Sequence, residues 1–211
     1  GARSDDLALR IRNLFECYMC DYLVIDTKGN GLPIVDLLMG EIIDRETGIS
    51  YSALGCCNND EINERGTDKS APKVIWSIMG SERFNSDCAI QLRESFRNGT
   101  LRLLRSEYGC DEILGQIPGF NKLSPEQKTA FKMPYIHTTL LVNELVNLQS
   151  EQKNGSGTVR VFEKTGMRKD RYSSLSYNIY VTKALERQMF KPRNDMDTMA
   201  KMIISRQPIL Y

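Results

Sequence analysis

Residues 22–25, Tyr-Leu-Val-Ile, form a compact apolar run with β-branched members and no polar alternation, set between two helical patterns. A run of this kind suits a strand buried on both faces, which ties the chain to a layered α/β arrangement. Upstream, Ser4 can cap a helix in which Leu7, Ile11, Leu14, Phe15 and Tyr18 recur at three- and four-residue steps, ending near Cys20. Downstream, residues 27–31 contain two glycines and read as a turn, and Pro33 takes an early helical position before apolar residues 34–39.

A second cycle follows a polar stretch, 58–70, which reads as an insertion or mobile loop. Residues 73–78 suit a strand, 87–96 a helix closed by Asn98 and Gly99, and 101–104 a short further strand. From Ser124 and Pro125 the pattern is mainly helical to Gln149, with Pro134 predicted to break it. Residues 153–157 read as a flexible turn, 158–162 as a strand and 169–189 as a long helix. Strands alternating with helices predict an α/β fold with a mixed sheet flanked by helices on both faces. There is no internal repeat or low-complexity tract.

With 211 residues, 41% hydrophobic and 26% charged, one domain is expected across the chain, with a core at about 7–189 and a basic tail at about 190–211. No apolar run approaches the roughly 20 residues of a membrane span. No basic segment leads into an apolar one near residue 1, so no secretory signal is expected. Six cysteines, at 17, 20, 56, 57, 88 and 110, are too few for a disulfide scaffold and fit a reducing compartment. Cys17 and Cys20 have half-zinc-site spacing that Cys56 and Cys57 could complete. Against this, Cys17 lies in a helical pattern and adjacent cysteines rarely point at one tetrahedral ion. The net charge of +1 conceals an asymmetry: residues 1–157 hold 17 Lys and Arg against 22 Asp and Glu, and residues 158–211 hold 11 against 5. The basic end could attract a polyanion such as DNA, or be a solvated helix face.

Two acids invite a catalytic reading. Asp26 directly follows the first strand, at the edge where α/β sheets place ligands, with Lys28 as a neighbouring cation. The competing role is to cap the following turn. Asp170 opens the last helix, crowded by Arg168, Lys169 and Arg171. There the helix dipole favours an acid, and the N-terminal amides and cations favour phosphate. A purely stabilising helix-start acid is the alternative. Two-metal phosphodiester hydrolysis needs carboxylates from separate elements around a pair of divalent ions, and hard oxygen ligands point to magnesium or manganese. Asp26 and Asp170 are 144 residues apart, so folding alone could join them.

At these motifs the chain resembles the nuclease domain of viral (phage) DNA-packaging terminase large subunits. The likeness lies in residues 26–31 (Asp-Thr-Lys-Gly-Asn-Gly), 78–81, 92–104, 139–148 and 169–175 (Lys-Asp-Arg-Tyr-Ser-Ser-Leu), in that order, and runs from about Leu7 to Met189. The resemblance implies an RNase H-like fold and an endonuclease that cuts concatemeric double-stranded viral DNA during genome packaging, using two divalent ions, Mg or Mn. It implies Asp26 and Asp170 as metal ligands and Lys169 as a catalytic partner; Lys28, Arg168 and Arg171, the cations beside the two acids, are read as DNA contacts. Glu144 and Glu163 are further candidates. The family's partners would be an ATPase motor domain, a portal and a small terminase subunit, in the cytoplasm of a bacterial host.

The family's first catalytic Asp lies on a strand upstream of the helix with which this chain opens, and no counterpart is present. Asp5 and Asp6 have no buried strand beneath them. A sheet lacking its N-terminal strands, and weak or absent cleavage by this chain, are therefore expected. There is also no Gly-x-x-x-x-Gly-Lys-Ser/Thr phosphate loop. His137 follows Pro134 amid apolar neighbours and reads as structural, as do Ser173, Ser174, Trp76 and the tyrosines at 172, 177 and 180. Two other functions fit the same fold: a non-catalytic DNA-binding or motor-docking module, and a resolvase or transposase nuclease acting on branched DNA.

Overall fold

The computed structural model describes residues 3–152 and 157–190. The chain divides into two compact units, Gly1–Val181 and Thr182–Tyr211. The expected basic tail and most of the turn at 153–157 lie outside the described residues.

The first unit is mixed α/β. Helix α1 (Ser4–Cys17) leads into strand β1 (Leu23–Asp26) and helix α2 (Gly31–Leu38). Short strands β2 (Ile42–Ile43) and β3 (Ser50–Tyr51) form an antiparallel pair, followed by β4 (Gly55–Cys56) and helix α3 (Asp60–Asn63). Strand β5 (Lys73–Ile78) and helix α4 (Glu82–Arg97) complete the second cycle. Strands β1, β5 and β4 pair in parallel with β5 central, Leu23 opposite Ile75 and Asp26 opposite Ile78. The remaining strands form two antiparallel ribbons, so the described residues carry three small sheets where the sequence suggested one mixed sheet.

Apolar side chains of α1, α2, α3 and the parallel sheet make the main core: Ala8, Val35, Leu38, Met39, Leu54, Cys56, Ile62 and Ile75. Arg12 is buried at the edge of this core, paired with Glu16 at 2.8 Å and donating to the Ser52 carbonyl at 3.3 Å. Its guanidinium also lies over the rings of Phe15 and Tyr51, which fastens α1 to the segment leading into β4.

Beyond α4 come helix α5 (Cys110–Leu114), the long helix α6 (Pro125–Asn147), the ribbon β6 (Leu148–Gln152) and β7 (Val159–Glu163), and helix α7 (Asp170–Met189). A second small core of Cys110, Leu114 and Phe120 receives Leu123 and Tyr135. The Ser124 hydroxyl accepts from the Gln127 amide while the Gln127 side chain accepts from the Ser124 amide, a reciprocal cap with Pro125 at the first helical position.

Four expectations are corrected. Residues 22–25 are half-buried or exposed, and β1 pairs with β5 alone among the described strands, so it is not a strand enclosed on both faces. The polar stretch 58–70 is ordered: Asn59 caps α3 through the Ile62 amide, and Ile62 is buried. The Asn58 amide continues the ladder of β5, donating to the Ser77 carbonyl and accepting from the Ser77 amide, both at 2.8 Å. Residues 101–104 form no strand. Finally, α6 continues through Pro134, which forfeits the ladder bond to the Ala130 carbonyl without ending the helix.

Candidate nucleic-acid cleft at the ends of the parallel strands

Thr27 fixes the point where β1 ends. Its amide donates to the Ile78 carbonyl at 2.8 Å, and its buried hydroxyl lies 2.9 Å from the Ser77 hydroxyl and donates to the same carbonyl at 3.0 Å. The C-terminal ends of β1 and β5 are thereby locked side by side. Asp26 is exposed, and its Oδ1 accepts the Lys28 amide at 2.9 Å, closing the turn. The turn-capping role is real for that oxygen; Oδ2 has no hydrogen bond among the described residues. The loop then folds back so tightly that a Cβ on Gly31 would lie 1.7 Å from the Asp26 carbonyl oxygen, while Gly29 adopts φ +68°.

Opposite, α7 is held by Glu144. This carboxylate accepts the Tyr172 amide at 3.0 Å and pairs with Arg171 at 2.9 Å, with its side chain only 9% exposed. An amide of the first helical turn has no intrahelical acceptor, so Glu144 caps the helix from another element. Lys169 pairs with Glu163 at 2.7 Å, and this hydrogen bond holds the Glu163 carboxyl below its ordinary range. Phe84 of α4 packs against Tyr177 and Tyr180, with ring centroids 5.6 and 4.7 Å away.

Between these parts lies a cavity of about 540 Å³, lined by Lys28 after β1, Gly80 and Asn85 after β5, Arg160 of β7, and Lys169, Ser173 and Tyr177 of the α7 region. Tyr177 donates to Asn85 at 3.2 Å across its floor. A Cβ on Gly80 would crowd both groups, at 3.3 Å from Asn85 and 3.4 Å from the Tyr177 hydroxyl. Burial raises the Tyr177 phenol above its usual range, with the negative charge of Asp26 as the next cause. Burial likewise pushes the Tyr172 phenol up to about 12.

The structure thus gathers neighbours of both acidic motifs around one cleft. Asp26 and Asp170 are both exposed, and neither lines the cavity itself. Asp170, Ser173 and Tyr177 are spaced to share one face of α7, which puts Asp170 about 10 Å along the axis from Tyr177. Arg168 is exposed, whereas Arg171 and Glu144 are committed to each other. Among the described residues no group of three His, Cys, Asp or Glu side chains is placed to hold a metal ion. Cys17 and Cys20 are exposed, Cys57 is half-buried and Cys56 is buried. Asn85 is a functional candidate that sequence reasoning missed, since a polar residue inside a helix carries no local signal; Arg160 belongs to the basic end, residues 158–211, that the charge count marked.

No protein-family model, curated protein or solved structure matches the chain. What fold and site define is a mixed α/β protein with a basic cleft where two parallel strands end.

Proposed function

We propose that this chain is the nuclease domain of a viral DNA-packaging terminase large subunit, an endonuclease cutting concatemeric double-stranded DNA. One observation carries the reading. Lys28, two residues after Asp26, and Lys169, one before Asp170, line the same cavity at the C-terminal ends of parallel strands, although 141 residues separate them. RNase H-like architecture, the motor, portal and small-subunit partners, and a bacterial host cytoplasm belong to the same proposal.

The donor chemistry fits magnesium or manganese. Asp26 and Asp170 offer exposed carboxylate oxygens, and Asp26 keeps one oxygen outside its turn. Bound at these acids, divalent ions would supply an activated water and charge stabilisation for the leaving oxygen. The protein's own contribution is positioning. Lys28 presents a cation to phosphate in the cleft, and Arg160 and Lys169 join it when they exchange Glu151 and Glu163 for phosphate oxygens. The edge of β1 away from β5 pairs with no other described strand.

The test is a structure with bound manganese together with plasmid cleavage. Asp26 and Asp170 should approach one metal cluster, and Asp26→Asn or Asp170→Asn should each abolish tight manganese binding. Carboxylates separated by well over about 8 Å would overturn the site, because one two-metal cluster could not span them. A second reading is favoured by the cavity lining, which holds three cations and one carboxylate, Glu82, but neither Asp26 nor Asp170: a DNA-binding module that does not cut. Salt-dependent DNA binding without manganese-dependent cleavage would select it.

A further inference from the structure

A second cavity lies behind Tyr172, which lines both it and the cleft. It holds about 300 Å³ and is walled by Ala89, Leu92 and Phe96 of α4, Leu145 of α6, and Val159 and Val161 of β7. That size is at the lower end of the roughly 300–1,000 Å³ typical of ligand pockets, so it suits one large apolar side chain better than an extended ligand. Arg93 and Arg97 also line it. Both are exposed, and neither has an ion pair or hydrogen bond among the described residues. They stand one helical turn apart on α4, which places their Cβ atoms about 6 Å from each other.

We propose that this cavity is the docking site for an acidic amphipathic segment of a partner protein, which inserts one apolar side chain and sets carboxylates against Arg93 and Arg97. Charge complementarity identifies the occupant: two guanidinium groups with no partner among the described residues, beside an apolar hole, select an anion attached to an apolar anchor. The surroundings favour a protein over a small molecule. The apolar lining continues from Leu145 onto Val142 and Val146 of the same α6 face, 40% and 71% exposed, and Phe96 remains 37% exposed. A small acid would have no use for that strip, whereas an amphipathic helix would cover it. Duplex DNA would use the arginines but leave the apolar hole open.

The probe is a fluorescein-labelled helical peptide with one tryptophan flanked by glutamates, followed by fluorescence anisotropy on the full chain. Its control carries glutamines in place of the glutamates. Saturable binding is expected, weakened about tenfold or more by Arg93→Glu with Arg97→Glu, and by Ala89→Phe, which fills the cavity. The glutamine peptide should bind more weakly, and circular dichroism should show each variant folded. Binding absent below ~1 mM overturns the proposal. So does insensitivity to either variant, equal binding of the glutamine peptide, or duplex DNA taking the peptide's place at these arginines. The site stands apart from the nuclease reading, so Asp26→Asn should leave peptide affinity unchanged.

Discussion

The Glu144 carboxylate accepts the backbone amide of Tyr172 at 3.0 Å, so the helix that begins with Asp170 is capped by a side chain 28 residues upstream. The same carboxylate pairs with Arg171. Glu144→Ala should therefore lower stability by about 1–3 kcal/mol, since it leaves a helix-end amide and a half-buried guanidinium without their acceptor. Glu144→Gln keeps one acceptor oxygen and should lose less. Urea denaturation measures both, and an unchanged midpoint for Glu144→Ala would show that the cap is unimportant.

The loop after β1 depends on Gly31. A Cβ there would meet the Asp26 carbonyl oxygen at 1.7 Å, a clash that only backbone movement can relieve. Gly31→Ala should cost about 1–3 kcal/mol and displace Asp26. Gly29→Ala, strained by φ +68° but surrounded by open space, should cost about 1–2 kcal/mol and leave Asp26 in place. Denaturation midpoints and the NMR shifts of Asp26 and Thr27 separate the two.

The ion pair of Lys169 with Glu163 gives a pH dependence of definite sign. The folded carboxyl of Glu163 lies below its ordinary value of 4.5. Its stabilising contribution is therefore complete above that value and is lost as pH falls through the lower, folded value. Thermal melts of Glu163→Gln should show a shallower loss of stability below about pH 4.5 than the parent. At neutral pH the same variant releases Lys169, so DNA affinity should rise, while Lys169→Ala should lower it and reduce the salt slope by about one.

Thiol chemistry follows burial. Cys17 and Cys20 are exposed, Cys56, Cys88 and Cys110 are buried, and burial pushes the Cys88 thiol up to about 12. Burial also raises the Cys57 thiol, which donates to the Ile75 carbonyl at 3.2 Å. With an aromatic disulfide reagent at pH 8, two thiols should react rapidly and the buried ones only on unfolding. Slow reaction of Cys17→Ser with Cys20→Ser would agree; an undiminished fast phase in that variant would contradict the assignment.

Local pattern alone placed β5 at residues 73–78 and set α7 and β7 within a residue of their observed starts, because periodicity and end signals are short-range properties. It also marked Asp26 and Asp170 as acids at a strand end and a helix start. The partners of those elements were not readable. Nothing in the polar stretch 58–70 announces that the Asn58 amide serves as a strand rung for Ser77. Likewise, Glu144 in an apolar helical stretch reads only as a further candidate acid, and its role as the cap of α7 is not legible there. Tertiary structure also left β1 with one strand partner, half-exposing a run whose composition suggested full enclosure.

What the sequence determined by itself is the order of α1, β1, α2, β5, α4, α6, β7 and α7 and the two acidic motifs, since each depends on residues a few positions apart. Only the tertiary structure decided that Lys28 and Lys169 face one cleft, that Arg160 and Asn85 join them, and that Arg93 and Arg97 flank an apolar cavity behind it. These relations arise from contacts across tens to more than a hundred residues. The sheet and its packed helices fix such distances together, and no short stretch of sequence encodes them.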